Sequence, residues 1–330
     1  MKHKLFPFIT LALLLITAFS ACQKVPVSGV IIDGDLLLFV DETTALTASI
    51  LPPNAHNKNV TWESNNLNIA TVDKDGKVTG KAIGKAIITV KTEDGGKTAK
   101  CFVTVVQPIE PEMIWVEGGT FTMGCTDEQS EDCSDEEKPA HSVTLNSFYI
   151  GKYEITQKEW VGIMGSNPCY FTGDDLPVEM VSWNDTQEFI KRLNELTGKN
   201  YRLPTEAEWE YVARGGNMSE GYKYSGSDNI DEVGWYNGNS VYSTHQVGTK
   251  KANELGIFDM SGNVWEWCSD WYGNYPDTPQ NNPTGYSTGT THVVHGGSYY
   301  NRGISVWVRG KAYPTYCSKL TGFRLVLPEN

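Results

Sequence analysis

Seven cysteines carry the widest choice of chemistry in this sequence: cross-link, metal thiolate, redox thiol or acylation site. Their spacing narrows that choice. Cys125 and Cys133 bracket the acidic polar loop TDEQSED and form the expected disulfide pair, which would close a short loop. Cys101, Cys169, Cys268 and Cys317 show no CxxC or zinc-site spacing, and Cys101 reads as an isolated buried thiol. His292 and His295 stand three apart on an expected strand and therefore point to opposite faces, which fits structural roles better than a shared metal. The stretch Asp127–Glu137 holds seven carboxylates and reads as a solvated charge run. Near the C-terminus, Tyr299, Tyr300, Asn301, Arg302, Trp307, Arg309, Tyr313 and Tyr316 concentrate tyrosine, tryptophan and arginine, the types favoured at binding hot spots. These are the candidate ligand-binding residues.

The elements that position these groups begin with an export signal. Lys2, His3 and Lys4 precede an uncharged run from Leu5 to Ala21 containing LALLLITAF, too short for a comfortable membrane span of about 20 residues. The run stops at Phe19-Ser20-Ala21-Cys22, which resembles the lipobox of bacterial lipoproteins. That resemblance implies a signal peptide over 1–21, lipidation at Cys22, a tether over 22–25 and a place in the cell envelope, at the outer membrane or cell surface. The rest of the chain is expected to be soluble apart from this anchor. Residues 26–106 read as short strands rich in Val, Ile and Thr between turn signals such as Pro52-Pro53, Asp73–Lys77 and Glu93–Gly96, hence an all-β sandwich. Gln107–Glu112 is a proline-punctuated linker. From Met113 onward the chain holds nine of the ten tryptophans, with few helix signals. Thr156-Gln157-Lys158-Glu159 and Thr205-Glu206-Ala207-Glu208 are capping boxes, and a third helix is expected from near Asn184 to Leu196 with Gly198 as its stop. The net charge of −13 excludes electrostatic binding to nucleic acid or to an anionic membrane surface.

Two family resemblances follow. The stretch NVTWESNNLNIATVDKDGKVTGKAIGKAIITVKT resembles the bacterial Ig-like group 2 domain, whose members serve mostly as spacers. The segments WVEGGTFTMG (115–124), FYIGKYEITQKEW (148–160), LPVEMVSW (176–183), YRLPTEAEWEYVARGG (201–216), GIFDMSGNVWEWCSDW (256–271), GGSY (296–299) and GFRLV (322–326) resemble, in this order, the formylglycine-generating enzyme or sulfatase-modifying factor family. The resemblance covers 113–330 and implies an α+β fold of the C-type-lectin kind, with few helices and much irregular structure. Active members oxidise a sulfatase cysteine to formylglycine with copper held by two cysteines; the matching positions here are Asn301 and Val306, neither a copper(I) ligand. Copper is therefore not expected. Ser298 and Trp265 match residues of the family's oxygen-side pocket. The iron chemistry of a related branch is not expected either, since no HxxxHxE pattern occurs.

The resemblance implies one calcium site, with Asp259 and Glu266 as carboxylate ligands and Gly262 and Val264 as carbonyl ligands, a hard oxygen set suited to calcium. The family's second calcium site falls near Val233-Gly234, where a side-chain oxygen donor is missing, and is not carried over. The segment after GGSY borders the family's substrate groove. The expected function is thus a lipid-anchored envelope protein that binds a protein or glycan ligand without catalysis. The alternatives are an oxidase acting on sulfatase cysteines and a structural component of an envelope secretion or motility complex.

Overall fold

The computed structural model describes residues 24–107, 109–126 and 133–329. The signal segment, Cys22 and most of the acidic run after Thr126 lie outside the described residues. The chain divides into two compact units whose main boundary falls between Val103 and Thr104.

The N-terminal unit is all β. One sheet takes the order Leu36–Phe39, Thr98–Val106, Gly84–Thr92, Val60–Ser64; a three-stranded sheet joins Thr43–Ala45, Lys77–Gly80 and Ala70–Val72; Gly29–Ile32 pairs with Ala48–Leu51. Alternation along Gly84–Thr92 sends Ala86, Ile88, Val90 and Thr92 inward, as a strand with one covered face requires. Asp73 fastens the turn between two strands by accepting from the amides of Asp75 and Lys77, each at 2.9 Å. Cys101 is a free, fully buried thiol, and burial raises its pKa.

The C-terminal unit places four α-helices among three small sheets, among the described residues. Helix α1 (Gln157–Met164) starts at a complete capping box in which the Thr156 hydroxyl accepts from the Glu159 amide while Glu159 accepts from the Thr156 amide. Helix α2 (Trp183–Thr197), capped by Ser182, starts one residue before the expected Asn184 and ends at Gly198 with φ +69°. It buries Thr186, Phe189, Ile190 and Leu193. Helix α3 (Glu206–Ala213) repeats the Thr–Glu box, and all eight of its residues are buried. A helix with three acids among eight buried residues needs internal partners for them. Glu206 finds Arg309 in the sheet Arg309–Ala312, His292–His295, Trp265–Trp271, Thr321–Gly322, while Glu208 and Glu210 pair with Arg202 and Arg214, which flank the helix; register in that sheet sets Glu266 opposite His295 and His295 opposite Arg309.

Two hydrophobic clusters fill this unit. One gathers Trp209, Tyr211, Val306 and Trp307 around α3; the other gathers Trp160, Phe189, Trp267 and Phe323 around α1 and α2. A disulfide joins Cys125 to Cys133 with Cα atoms 5.9 Å apart. Glu137, read as part of a solvated acidic run, is instead buried, because its carboxylate turns inward to cap Ser134.

Candidate functional site

The strand His292–His295 runs into Gly296 (φ +91°) and Gly297 (φ +74°). Side chains there would sit 2.8 Å from the Trp209 ring and 2.6 Å from Ile304, so only glycine allows the chain to reverse this close to the core. The reversal delivers Ser298, which is fully buried. Its amide (3.0 Å) and hydroxyl (2.6 Å) both donate to Asn301 Oδ1, and the Asn301 amide returns a bond to the Ser298 carbonyl. Asn301 is thus a turn cap, with its acceptor oxygen engaged. Val306 is completely buried in the α3 cluster. Trp265 packs half-buried against the other cluster. Cys169, Cys268 and Cys317 are free thiols. Burial pushes the Cys169 thiol up to about 12 and Cys268 well above the ordinary thiol range, so neither supplies a thiolate at neutral pH.

The C-terminal aromatic segment splits by burial. Tyr299, Trp307 and Arg309 are buried and leave the set of surface contacts: Tyr299 stands edge-on to Phe171, Trp307 fills the core, and Arg309 closes on Glu206. Tyr300, Tyr313 and Tyr316 are exposed, as is Arg302, and Asn301 is half-buried. Two exposed rings that sequence reasoning missed are Tyr170, beneath Lys319, and Tyr242, whose centroid lies 5.7 Å from that of Tyr300. Val241 and Tyr242 both adopt left-handed backbone (φ +54° and +59°), and Val241 is 85% exposed. A β-branched residue held there is strained, and the strain is carried by bonds from the neighbouring segment: the Ser240 hydroxyl donates to the Tyr299 carbonyl at 2.7 Å, and the Asn237 amide to the Asn301 carbonyl at 3.0 Å. The loop 236–243 and the turn 298–301 are therefore fastened together and present Val241, Tyr242 and Tyr300 side by side.

The turn 298–301 is tied to a buried carboxylate cluster through Asn263, whose carbonyl accepts from the Tyr299 amide at 2.8 Å. Glu266 pairs with Arg324 through two bonds (2.6 and 2.7 Å) and accepts from the Trp209 indole at 2.8 Å, so its carboxylate is already engaged. Asp259 Oδ2 accepts from the Gly248 amide at 2.7 Å, while Oδ1 is buried without a partner. Glu154, which the sequence reading missed, accepts from the Asn263 side chain (2.6 Å) and the Val264 amide (3.1 Å). Burial, then Asp259 and Glu266, pushes the Glu154 carboxyl well up; burial raises Asp259 to about 6. Three buried carboxylates face one guanidinium. That surplus, with the orphaned Asp259 Oδ1, suits a hard cation. The carboxylates do not close into a cage by themselves: among the described residues, the one trio of His, Cys, Asp or Glu ligand atoms within 4.8 Å of one another is Cys125, Cys133 and Glu137. A cation here would therefore depend on backbone oxygens as well as Asp259.

Residues 99–328 match the family described as "Sulfatase-modifying factor enzyme 1-like domain", and residues 26–103 match "Bacterial Ig-like domain (group 2)". The chain belongs to the sulfatase-modifying factor family. It is similar to "Chaperone protein LppX" of Paenibacillus barcinonensis, 39% identical over 223 residues that cover 52% of this chain and 76% of that protein. It is also similar to the formylglycine-generating enzyme of Streptomyces coelicolor, 37% identical over 169 residues, covering 45% of this chain and 51% of the enzyme; the chain thus spans about half of that enzyme's length. Among solved structures it resembles Treponema denticola variable protein 1 (TM-score 0.61, 26% identity, 71% of this chain and 97% of that one). It likewise resembles PvdO from Pseudomonas aeruginosa (TM-score 0.57, 27% identity, 66% and 95%). An Ig-like domain followed by this mostly β, helix-poor domain is the architecture expected from the sequence.

Proposed function

We propose that this member of the sulfatase-modifying factor family is a non-catalytic binding protein, exported and lipid-anchored through Cys22 in the cell envelope, at the outer membrane or cell surface. The Ig-like domain is its spacer. The surface formed by Val241, Tyr242, Tyr300 and the exposed Tyr313 and Tyr316 receives a protein or glycan ligand. The observation that carries this reading is the fate of the two positions that hold copper in active members: Asn301 is a turn cap and Val306 a core residue. Substituting donors of that kind leaves no soft ligand pair for copper(I). A relative named as a chaperone, 39% identical, supports binding over bond-making chemistry. Asp259, with carbonyls of Gly262 and Val264, would hold calcium beside the Arg324–Glu266 pair and neutralise the surplus carboxylate charge.

The test is metal analysis of the purified chain combined with incubation with a CxPxR peptide under oxygen and added copper. We expect no stoichiometric copper and an unmodified peptide by mass spectrometry. Formylglycine on that peptide would overturn the proposal in favour of an oxidase. Metabolic labelling with a fatty-acid analogue tests the anchor, and the label is expected to vanish in C22A. Recovery of the chain as a fixed part of a multiprotein envelope assembly, rather than as a free binder, would instead support the structural-component reading.

A further inference from the structure

A cavity of about 350 Å³, none of whose lining residues belongs to the surface or the carboxylate cluster above, opens between α3 and the strands Trp265–Trp271 and Arg309–Ala312. Its buried floor carries Glu206, Asp270 and Arg309, and its walls include Trp271, Tyr275 and Tyr286. Arg309 is spoken for. It bonds both oxygens of Glu206 (2.6 and 2.8 Å), donates through Nη1 to the carbonyls of Glu136 and Gly273, and lies over the Tyr275 ring at 4.1 Å. Glu208, the next acid of α3, is likewise closed by Arg202 with two bonds of 2.6 Å.

Asp270 has no such partner. It is 4% exposed, and only neutral groups contact it: Oδ2 accepts from the Glu206 amide (3.1 Å) and the Ser269 hydroxyl (2.9 Å), while Oδ1 makes no hydrogen bond with the described residues. The two Arg–Glu pairs cancel and leave one unopposed negative charge at the cavity floor. A neutral ligand would leave that charge uncompensated, and an anion would double it. A cation with N–H groups answers both the charge and the free acceptor oxygen, and aromatic walls favour its alkyl and cationic parts.

We propose that this cavity binds a small primary alkylammonium ion, with Asp270 Oδ1 accepting its N–H groups and Trp271 and Tyr286 flanking its alkyl chain. The pH dependence follows from the same geometry. Burial, with Glu206 and Glu208 nearby, pushes the Asp270 carboxyl up to about 7. Protonation removes the counter-charge, so apparent affinity weakens about ninety-fold from pH 8 to pH 5. The other ionisable groups around the cavity and Asp270 include His141, His292, Tyr275, Tyr286, Cys268, Arg202 and Arg309, and burial raises the Cys268 pKa well above the ordinary thiol range. His292 places Nδ1 3.1 Å from the carbonyls of Ser269 and Asp270, and burial lowers its pKa, so it stays neutral over most of this span. His141 lines the cavity and is removed in the H141Q variant used below.

Titration of the full chain with n-butylammonium chloride at fixed ionic strength, followed by NMR, tests the proposal. Saturable binding at pH 8 is expected, with 1-butanol not binding, D270N at least about tenfold weaker, and the exposed-rim variant Tyr286→Ala several-fold weaker. H141Q is expected to keep the wild-type pH profile. Equal affinity of wild type and D270N, 1-butanol binding as tightly as the ammonium, or no saturation up to about 100 mM would each overturn the proposal. So would a flat pH profile in H141Q. If D270N fails to fold, an unchanged affinity in Tyr286→Ala overturns it by itself.

Discussion

Replacing Arg324 by methionine removes the one guanidinium that faces Glu154, Asp259 and Glu266. Arg324 is completely buried and donates to Glu266 twice and to the carbonyls of Gly151 and Phe258. Methionine fills much of the volume, so the cost is electrostatic: Glu266 is left buried and unpaired, and two main-chain acceptors lose their donor. Breaking a buried pair in this way costs about 3–5 kcal/mol. For a domain of this size each kcal/mol moves the melting temperature by about 2–4 °C, so the expected loss is about 6–20 °C. Thermal scans by circular dichroism, with EGTA and with millimolar calcium, are the assay. With Arg324 gone the cluster carries a larger negative surplus, and calcium is expected to restore more of the melting temperature in the variant than it adds to wild type. A loss under about 2 °C with no calcium effect in either protein would refute the reasoning. It would mean that the carboxylates are neutralised by protons and that neither Arg324 nor calcium holds the cluster.

Three further outcomes can be checked. Burial pushes the Glu179 carboxyl up to about 7 from an ordinary 4.5, and its Oε2 has no partner. The folded chain therefore keeps a proton that the unfolded chain loses, and this group's contribution to stability falls as pH rises from about 4.5 to 7; urea unfolding should show E179Q gaining on wild type by up to about 3 kcal/mol between pH 5 and pH 8, and an equal difference at both pH values would contradict this. Trp307→Ala should cost about 3–5 kcal/mol in the same assay, since a fully buried indole leaves a cavity, whereas an exposed contact residue would cost almost nothing. The double variant of Tyr242 and Tyr300 to alanine should unfold within about 0.5 kcal/mol of wild type yet lose most of its ligand capture from envelope extracts, and a fall in stability without loss of capture would move the binding surface elsewhere.

The local features were legible in the sequence because their physics is local. A Thr–Glu pair three residues apart can satisfy free amides at a helix start wherever the helix goes, so α1 and α3 could be placed from Thr156 and Thr205. The short loop between Cys125 and Cys133 brings its ends together under almost any fold, and alternating Ile, Val and Thr specify a strand with one covered face. The expectation that Asn301 and Val306 stand where active members carry copper cysteines likewise concerns only residue identity at two positions that the resemblance aligns. Burial could not be read in that way. Tyr299 and Tyr300 are neighbours of one type, yet the first stands in the core against Phe171 and the second on the surface beside Tyr242. Trp307 and Arg309 offer the same hot-spot chemistry as Tyr300 and are consumed by Val306's cluster and by Glu206. Glu154 and Arg324 are 170 residues apart and meet only when the strands and the loop around Asp259 have assembled. Asp270 acquires its unopposed charge because the three acids of α3 already have arginines of their own. Identity and local order belong to the chain itself; which groups are left without a partner is decided by packing between segments far apart in sequence, because desolvation and charge compensation depend on every neighbour at once.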